Sequence, residues 1–160
     1  MKESPQEAFL QFKDSVKTLA LATLSEDLRP DISYAPFVMD DSGNFYLFLS
    51  QLAHHTQDLL SHSIASVLLI EDEQDTRQLF ARQRITYQCQ VDVVLPGDQA
   101  YALMLDALNQ RFGNIVELLR NLPDFILFKL QPYHGQYVMG FGKAYNLVGD
   151  DLSALEHIAS

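Results

Sequence analysis

Polar side chains able to bind an anion occur at two places in this chain. The first group opens a short predicted helix, and the second opens a predicted strand. The donors are Ser50, His54, His55, Thr56, Arg82 and Arg84. Helix N-termini expose free backbone N–H groups, and hydroxyl and imidazole donors beside them extend such a site. Because arginine adds a permanent planar charge that matches phosphate oxygens, the set predicts a phosphate or carboxylate site.

No other residue pattern indicates a metal site or a covalent mechanism. His54 and His55 are adjacent, and adjacent residues of a helix cannot point at one ion together. Gly140 and Gly142 lie in a strand context near the C-terminus, without the helix that a phosphate loop requires. No nucleophile elbow is present. We therefore predict no metal ligand and name no catalytic residue.

Aromatic side chains flank the donors and could lie against a flat ligand. Tyr34 and Phe37 belong to a predicted strand before the first group, and Tyr87 follows the second. An aromatic ligand would stack on such rings, whereas bulky aromatic residues also fill the interior of a small barrel. Residue types alone leave both roles open.

Length and charge bound the function. The 160 residues suit a single domain over residues 1–160, and a hydrophobic content of 48% excludes general disorder. The formal charge of −10 excludes nucleic-acid binding through a general positive field and disfavours anionic membrane surfaces. A local basic pocket could still bind an anionic ligand.

The single cysteine and the apolar runs bear on the cellular compartment. Cys89 cannot form a disulfide within the chain, and its alternation with Tyr87 and Val91 predicts a buried strand thiol. The N-terminus is polar and acidic, unlike a secretory leader, and no apolar run approaches the ~20 residues that cross a membrane. We therefore expect a soluble cytoplasmic protein.

Element signals predict a mainly β fold with inserted helices (α+β). Ser4-Pro5-Gln6-Glu7 has capping-box spacing, which predicts an N-terminal helix. Further helices are predicted over residues 52–61, around 101–112 and up to 121, with one helical turn within 150–160. Six to seven strands are predicted over residues 17–24, 31–39, 45–49, 64–70, 84–95, 125–130 and 136–148. Pro36 indicates an edge or a bulge. Because alternating βαβ order is absent, a closed or nearly closed antiparallel barrel is expected.

These residues resemble a known family along nearly the whole chain. The resemblance is to the pyridoxamine-5′-phosphate-oxidase-like FMN-binding split-barrel superfamily, and within it to the heme-utilisation (HugZ/HutZ-type) branch. It is carried by Ser33-Tyr34-Ala35-Pro36-Phe37, Leu52-Ala53-His54-His55-Thr56, Ile70-Glu71-Asp72-Glu73, Ala81-Arg82-Gln83-Arg84, Arg111-Phe112-Gly113, Leu122-Pro123-Asp124-Phe125, Gly140-Phe141-Gly142-Lys143 and His157-Ile158.

The resemblance implies an antiparallel Greek-key split barrel that works as a homodimer, with cofactor sites in grooves between the subunits. In the FMN-binding members a phosphate-binding Ser-Arg-Lys stretch corresponds to His54-His55-Thr56, and a later Arg-Gln segment corresponds to Arg82-Gln83-Arg84. By the resemblance, Pro36 and Gln83 join the predicted cofactor-binding residues. Imidazole and hydroxyl groups replace two permanent cations here, which weakens the expected hold on a flavin phosphate.

The resemblance leaves three functional hypotheses. The leading one is a dimeric flavin-dependent oxidoreductase that binds FMN. The alternative is heme binding and degradation, for which iron needs an axial His, Cys, Met or Tyr. The branch's axial histidine corresponds to a position after His157-Ile158, where this sequence continues with Ala159 and Ser160; Asp124 matches an aspartate that could orient that ligand. The third hypothesis is a non-catalytic cofactor-binding module.

Overall fold

The structure is a computed structural model that describes residues 3–158. These residues form four α-helices and nine strands. The helices are α1 (Pro5–Ser15), α2 (His54–Ser61), α3 (Gln99–Phe112) and α4 (Ile115–Arg120). The strands are β1 (Thr18–Leu24), β2 (Pro30–Pro36), β3 (Val38–Met39), β4 (Phe45–Ser50), β5 (Ile64–Ile70), β6 (Arg84–Val94), β7 (Phe125–Gly140), β8 (Lys143–Val148) and β9 (Ala154–His157).

All strand pairs are antiparallel, in the order β2-β1-β5-β6-β7-β4-β3. The long strand β7 pairs with β4 through residues 125–130 and with β8 through residues 136–140, and β9 then adds to β8. The sheet is not closed, so the closure expected of the barrel is not found. The prediction of an antiparallel α+β split barrel is confirmed, with nine strands instead of six to seven.

The observed strands differ from the predicted ones at three places, and each difference has a physical reason. The predicted strand 31–39 is interrupted at Phe37, next to Pro36, and becomes β2 and β3. The predicted helical turn near the C-terminus is wrong, because residues 154–157 pair with β8 instead. Strand β7 runs unbroken through Pro132, which the prediction had treated as a gap. Pro132 lies between the segments that pair with β4 and β8, where no N–H is required on that side.

Two hydrophobic clusters lie on opposite faces of β4. Phe45 and Leu47 pack in the main core, whereas Tyr46 packs in a second cluster beneath α3 and α4. This arrangement confirms the prediction that a strand apolar at every position is covered on both faces.

Cys89 is buried in the main core, and its burial raises the thiol pKa to about 12.

Caps and aromatic contacts fix α1 against the sheet. The Ser4 hydroxyl accepts from the Glu7 amide at 3.1 Å, and the Glu7 carboxylate accepts from the Ser4 amide at 3.3 Å, so the predicted capping box is confirmed. Phe9 and Phe12 both lie against the ring of Tyr137.

No helix in the described part of the chain is long and apolar enough to cross a membrane.

Candidate functional site

The first group of predicted donors lies where β4 passes into α2. Ser50 ends β4, its hydroxyl donates to the Asp124 carboxylate at 3.0 Å, and it accepts from the Leu52 amide at 3.1 Å. The Gln51 amide donates to the Asp124 carbonyl. These bonds hold the start of β7 against the turn before α2. The Ser50 side chain therefore organises this turn.

The two histidines at the start of α2 have different surroundings. His54 is exposed, whereas His55 is half-buried and its Nδ1 lies 2.7 Å from the Ser33 hydroxyl on β2. Burial lowers the pKa of His55, and the nearby Asp58 carboxylate opposes that shift in part. Thr56 is fully buried and its hydroxyl donates to the Ser50 carbonyl. The Thr56 hydroxyl is therefore already used inside the fold, and its role as a cofactor-binding donor stays a prediction.

A polar cluster lies beneath α2. The buried Asp58 carboxylate accepts from the Thr23 hydroxyl at 2.8 Å. Thr23 of β1 is directly opposite Asp31 of β2 in the strand register. A hydrogen bond to Asp58 is the main cause of a raised pKa at Asp31. Ser33, Asp58 and Thr23 were missed from the sequence, although the i, i+2 spacing of Asp31 and Ser33 does place both on one face of a strand.

The second group of predicted donors is organised around Glu71, which follows β5. Arg82 Nε donates to the Glu71 carbonyl, and its guanidinium lies 3.8 Å from the Glu73 carboxylate. Gln83 donates to the Glu71 carboxylate at 3.2 Å and accepts from the Tyr137 hydroxyl. Arg84 Nη1 donates to the Arg82 carbonyl at 2.9 Å. These side chains thus already have partners within the chain.

A cavity of about 760 Å³ opens beside this second group. It lies between the C-terminal half of α1, the outer face of β1 and β5, and the acidic segment after β5. Its floor is apolar and its rim is charged. The floor includes Phe12, Leu19, Ala20, Tyr34, Leu68 and Ile70, and the rim includes Glu3, Lys17, Glu71, Asp72, Asp75, Arg82 and Gln83. Such a volume suits a small-molecule ligand, and the lining offers it both apolar and charged side chains.

The two groups of donors do not meet within one chain. Thr18 at one end of β1 lines the cavity, whereas Thr23 near the other end contacts Asp58 beneath α2. Five residues of extended strand separate them, about 17 Å. Tyr34, Arg82 and Gln83 line the cavity, with exposed Pro36 opposite Thr18. Ser50, His54, His55 and Thr56 lie at the far end.

Of the two roles left open for the aromatic side chains, Phe37 has the one in the core. Its ring is fully buried, packs edge-on against Phe45, and lies beneath the Arg111 guanidinium at 5.2 Å. Arg111 also donates to the Val16 carbonyl at 2.7 Å. Tyr87 is buried too, with its ring against Phe45. Both rings are buried in the main core and offer no surface to a ligand.

The described residues hold no group of three or more His, Cys, Asp or Glu side chains able to bind a metal ion. His157 is exposed, its Nε2 lies 2.9 Å from the Gly142 carbonyl, and its ring packs edge-on against Tyr145. His157 therefore joins β9 to the β7–β8 turn. A heme iron does not need such a cluster of side chains, because the porphyrin already binds it and the protein adds only an axial side chain beside the cavity.

The fold and the residues around the cavity define a family. Residues 5–139 match the family described as pyridoxamine 5′-phosphate oxidase, and the chain belongs to this family. The chain is 40% identical over 148 residues to heme oxygenase HutZ of Vibrio cholerae serotype O1, an alignment that covers 92% of this chain and 84% of that protein.

Solved structures refine the position within the family. The structure of HutZ, described as the heme storage protein from Vibrio cholerae, superposes with a TM-score of 0.76 at 36% identity, covering 83% of this chain and 92% of that one. Campylobacter jejuni ChuZ has a TM-score of 0.83 at 24% identity, covers 99% of this chain and 64% of that chain, and supports the fold alone. The chain thus lies in the heme-utilisation branch, as the resemblance predicted.

Proposed function

We propose that this protein binds heme in a groove shared by two copies of the chain. The observation that carries the proposal is the 40% identity to a relative named heme oxygenase HutZ, which extends over 92% of this chain. Heme, when bound, supplies an iron centre for oxygen and electron chemistry. The leading FMN hypothesis from the sequence becomes the weaker of the two.

The cavity residues fit a porphyrin. Tyr34 is opposite Ala20 in the register, and Ala20 is opposite Leu68, so a row of mainly apolar side chains crosses three strands. Among the described lining residues, Tyr34 is the one side chain of a type that ligates heme iron, and it is 67% exposed. Lys17 supplies a cation on the same rim, whereas Arg82 is already bonded to Glu71. Tyr34 is therefore the lining residue that would hold the iron.

The same rim disfavours FMN. A flavin phosphate needs free cations, yet Arg82 is bonded to the Glu71 carbonyl and lies near Glu73. At the far end of β1, burial lowers the pKa of His55, so the start of α2 adds no permanent charge for a phosphate. FMN is therefore the comparison ligand in the experiment below.

A second copy would complete the groove. The outer face of β2 exposes Ile32 (81%) and Tyr34, and exposed apolar patches of this kind mark interfaces. In a two-fold dimer each contact occurs twice, so a residue that meets a second residue of the partner is itself met by its own counterpart in return. Such an arrangement would bring the α2 end of one chain to the cavity of the other. Dimerisation is thus part of the proposal.

Hemin titration with a matched pair of variants tests the proposal. The unsubstituted protein should give a saturable Soret band with one heme per chain, and FMN should produce little spectral change. Tyr34→Phe removes the iron ligand, so it should shift the Soret band and weaken binding by about tenfold or more. Tyr133→Phe removes an exposed phenol outside the cavity and should bind like the unsubstituted protein. A saturable FMN response without a Soret band would overturn the proposal.

Reactivity then separates storage from degradation. The loaded protein is mixed with ascorbate in air and its spectrum is followed. Loss of the Soret band with new product absorption would identify oxidative opening of the porphyrin. A persistent Soret band would identify a storage or transfer protein.

A further inference from the structure

Strands β1 and β5 separate from one another at the cavity. Their pairing stops at Ala20 opposite Leu68, two residues short of the start of β1 and of the end of β5. The cavity opens at this gap, because residues of both unpaired strand ends line it. Lys17 precedes β1 on one side of the gap, and Glu71 follows β5 on the other. These two sides of the cavity carry opposite charges.

On the lysine side of the gap, the backbone is held firmly while the side-chain charge is unpaired. The Arg111 guanidinium donates to the Val16 carbonyl at 2.7 Å, and the Lys17 carbonyl accepts from the Phe37 amide at 3.2 Å. Arg111 is itself fixed against the rings of Phe37 and Phe112, at 5.2 and 5.8 Å from their centres. The Lys17 ammonium takes part in none of the ion pairs found among residues 3–158. It is therefore a cation at a fixed point of the rim that can pair with a ligand.

The opposite side of the gap, here called the acidic side, presents carboxylates. Burial raises the pKa of Tyr137, and Glu3 and Glu71 both add to that shift, so these two carboxylates lie near the same hydroxyl. Arg82 on this side already donates to the Glu71 carbonyl and lies near the Glu73 carboxylate. The lining carboxylates are those of Glu3, Glu71, Asp72 and Asp75. A second negative charge from a ligand would be repelled here.

We propose that Lys17 pairs with one carboxylate of the bound ligand, and that the acidic side keeps a second carboxylate out of the cavity. The inference rests on the proposed function, because heme carries two propionate carboxylates. It assigns them different surroundings: one lies at Lys17, and the other points away from Glu71 and Asp72, toward the open side of the groove. Charge at the rim thus fixes the orientation of the ligand more than its affinity.

The first measurement uses metal-free protoporphyrin IX, which has the same two propionates but no iron to ligate, and follows its fluorescence. Lys17→Met keeps the length of the side chain and removes its charge. This variant should bind protoporphyrin IX about two- to fivefold more weakly, the size of a partly exposed ion pair, and should bind the dimethyl ester normally. Lys143→Met, at an exposed lysine outside the cavity, should bind both porphyrins like the unsubstituted protein.

The second measurement tests the acidic side and should change affinity in the opposite direction. The double variant Asp72→Asn/Asp75→Asn removes two lining carboxylates and should strengthen protoporphyrin IX binding by about twofold or more, without effect on the dimethyl ester. Added salt should reduce this difference. The monomethyl ester keeps one carboxylate, so the unsubstituted protein should bind it at least as tightly as protoporphyrin IX.

The outcomes separate this inference from the proposed function. Equal weakening of protoporphyrin IX and its dimethyl ester in Lys17→Met would overturn the ion pair while leaving porphyrin binding intact. A monomethyl ester that binds several times more weakly than protoporphyrin IX would show that both carboxylates are held, and would overturn the role of the acidic side. Failure of the unsubstituted protein to bind hemin or protoporphyrin IX would overturn the proposed function and this inference together.

Discussion

At the scale of single residues, the carboxyl pair beneath α2 gives a pH dependence that can be measured. The pKa of Asp31 is raised by its hydrogen bond to Asp58, so the folded state holds a proton more tightly than the unfolded chain. Stability from this proton is fully present below the unfolded value of 3.8 and is lost as pH rises through the folded value. At neutral pH the two carboxylates repel one another.

Asp31→Asn should therefore stabilise the protein at pH 7 and make little difference near pH 4. The amide keeps a hydrogen-bond donor toward Asp58 without a charge. Thermal unfolding at the two pH values should show Tm raised by a few degrees at most at pH 7. Asp41→Asn, at an exposed turn, serves as the control. An Asp31→Asn variant with the same dependence of Tm on pH as the unsubstituted protein would contradict this account.

Residue types do not report the role that each residue has inside the fold. The spacing of Asp31 and Ser33 was readable as one strand face, yet their contacts with α2 depend on tertiary packing. Thr56 looked like a free donor, and only the path of the chain at Ser50 shows that its hydroxyl is used internally. Sequence periodicity does not report where a hydroxyl finds its acceptor.

At the scale of elements, the close approach of three strands requires glycine at one point on β7. A Cβ atom at Gly135 would lie 2.8 Å from Leu147 Cδ1, 2.9 Å from Tyr87 Cδ1 and 3.0 Å from the Thr86 carbonyl. Such distances are shorter than van der Waals contact, and the neighbours belong to a packed core.

Gly135→Ala should lower the free energy of unfolding by roughly 1–3 kcal/mol, the usual cost of overpacking. Urea unfolding at fixed pH measures the change. Gly97→Ala is the matched control, because an added Cβ there meets no atom within 4 Å. An equal effect in the two variants would show that the crowding around Gly135 relaxes freely.

Elements with strong local signals were predictable, and those set by pairing were not. The capping box at Ser4 and the glycine that ends α3, Gly113 at φ 88°, identify helix ends from a few residues. The continuity of β7 through Pro132 depends on a change of neighbouring strand, which no local pattern encodes. Strand β9 likewise exists because β8 offers it an edge.

At the scale of the whole molecule, the proposed dimer makes a direct prediction about the exposed face of β2. Ile32→Glu places a charge in the proposed interface, where its desolvation is costly, and should convert the dimer to a monomer. Light scattering after size exclusion measures the mass. Hemin affinity should fall with the dimer, because each groove needs both chains.

Leu103→Glu provides the matched control for this prediction. Like Ile32, Leu103 is an exposed aliphatic residue, but it lies on α3, on the opposite side of β4 from the main core. This variant should keep the mass and hemin affinity of the unsubstituted protein. A dimer that persists in Ile32→Glu would place the interface elsewhere.

The position of β4 between two hydrophobic clusters has a consequence for how the molecule opens. Neither cluster can lose its packing without uncovering one face of the same strand. The two halves should therefore exchange their amide protons as a single cooperative unit, with the slowest protons on β4 and on the paired half of β7. The edge strands β2 and β9 would open first, so the side of the sheet proposed to face the ligand can fluctuate while the interior stays closed.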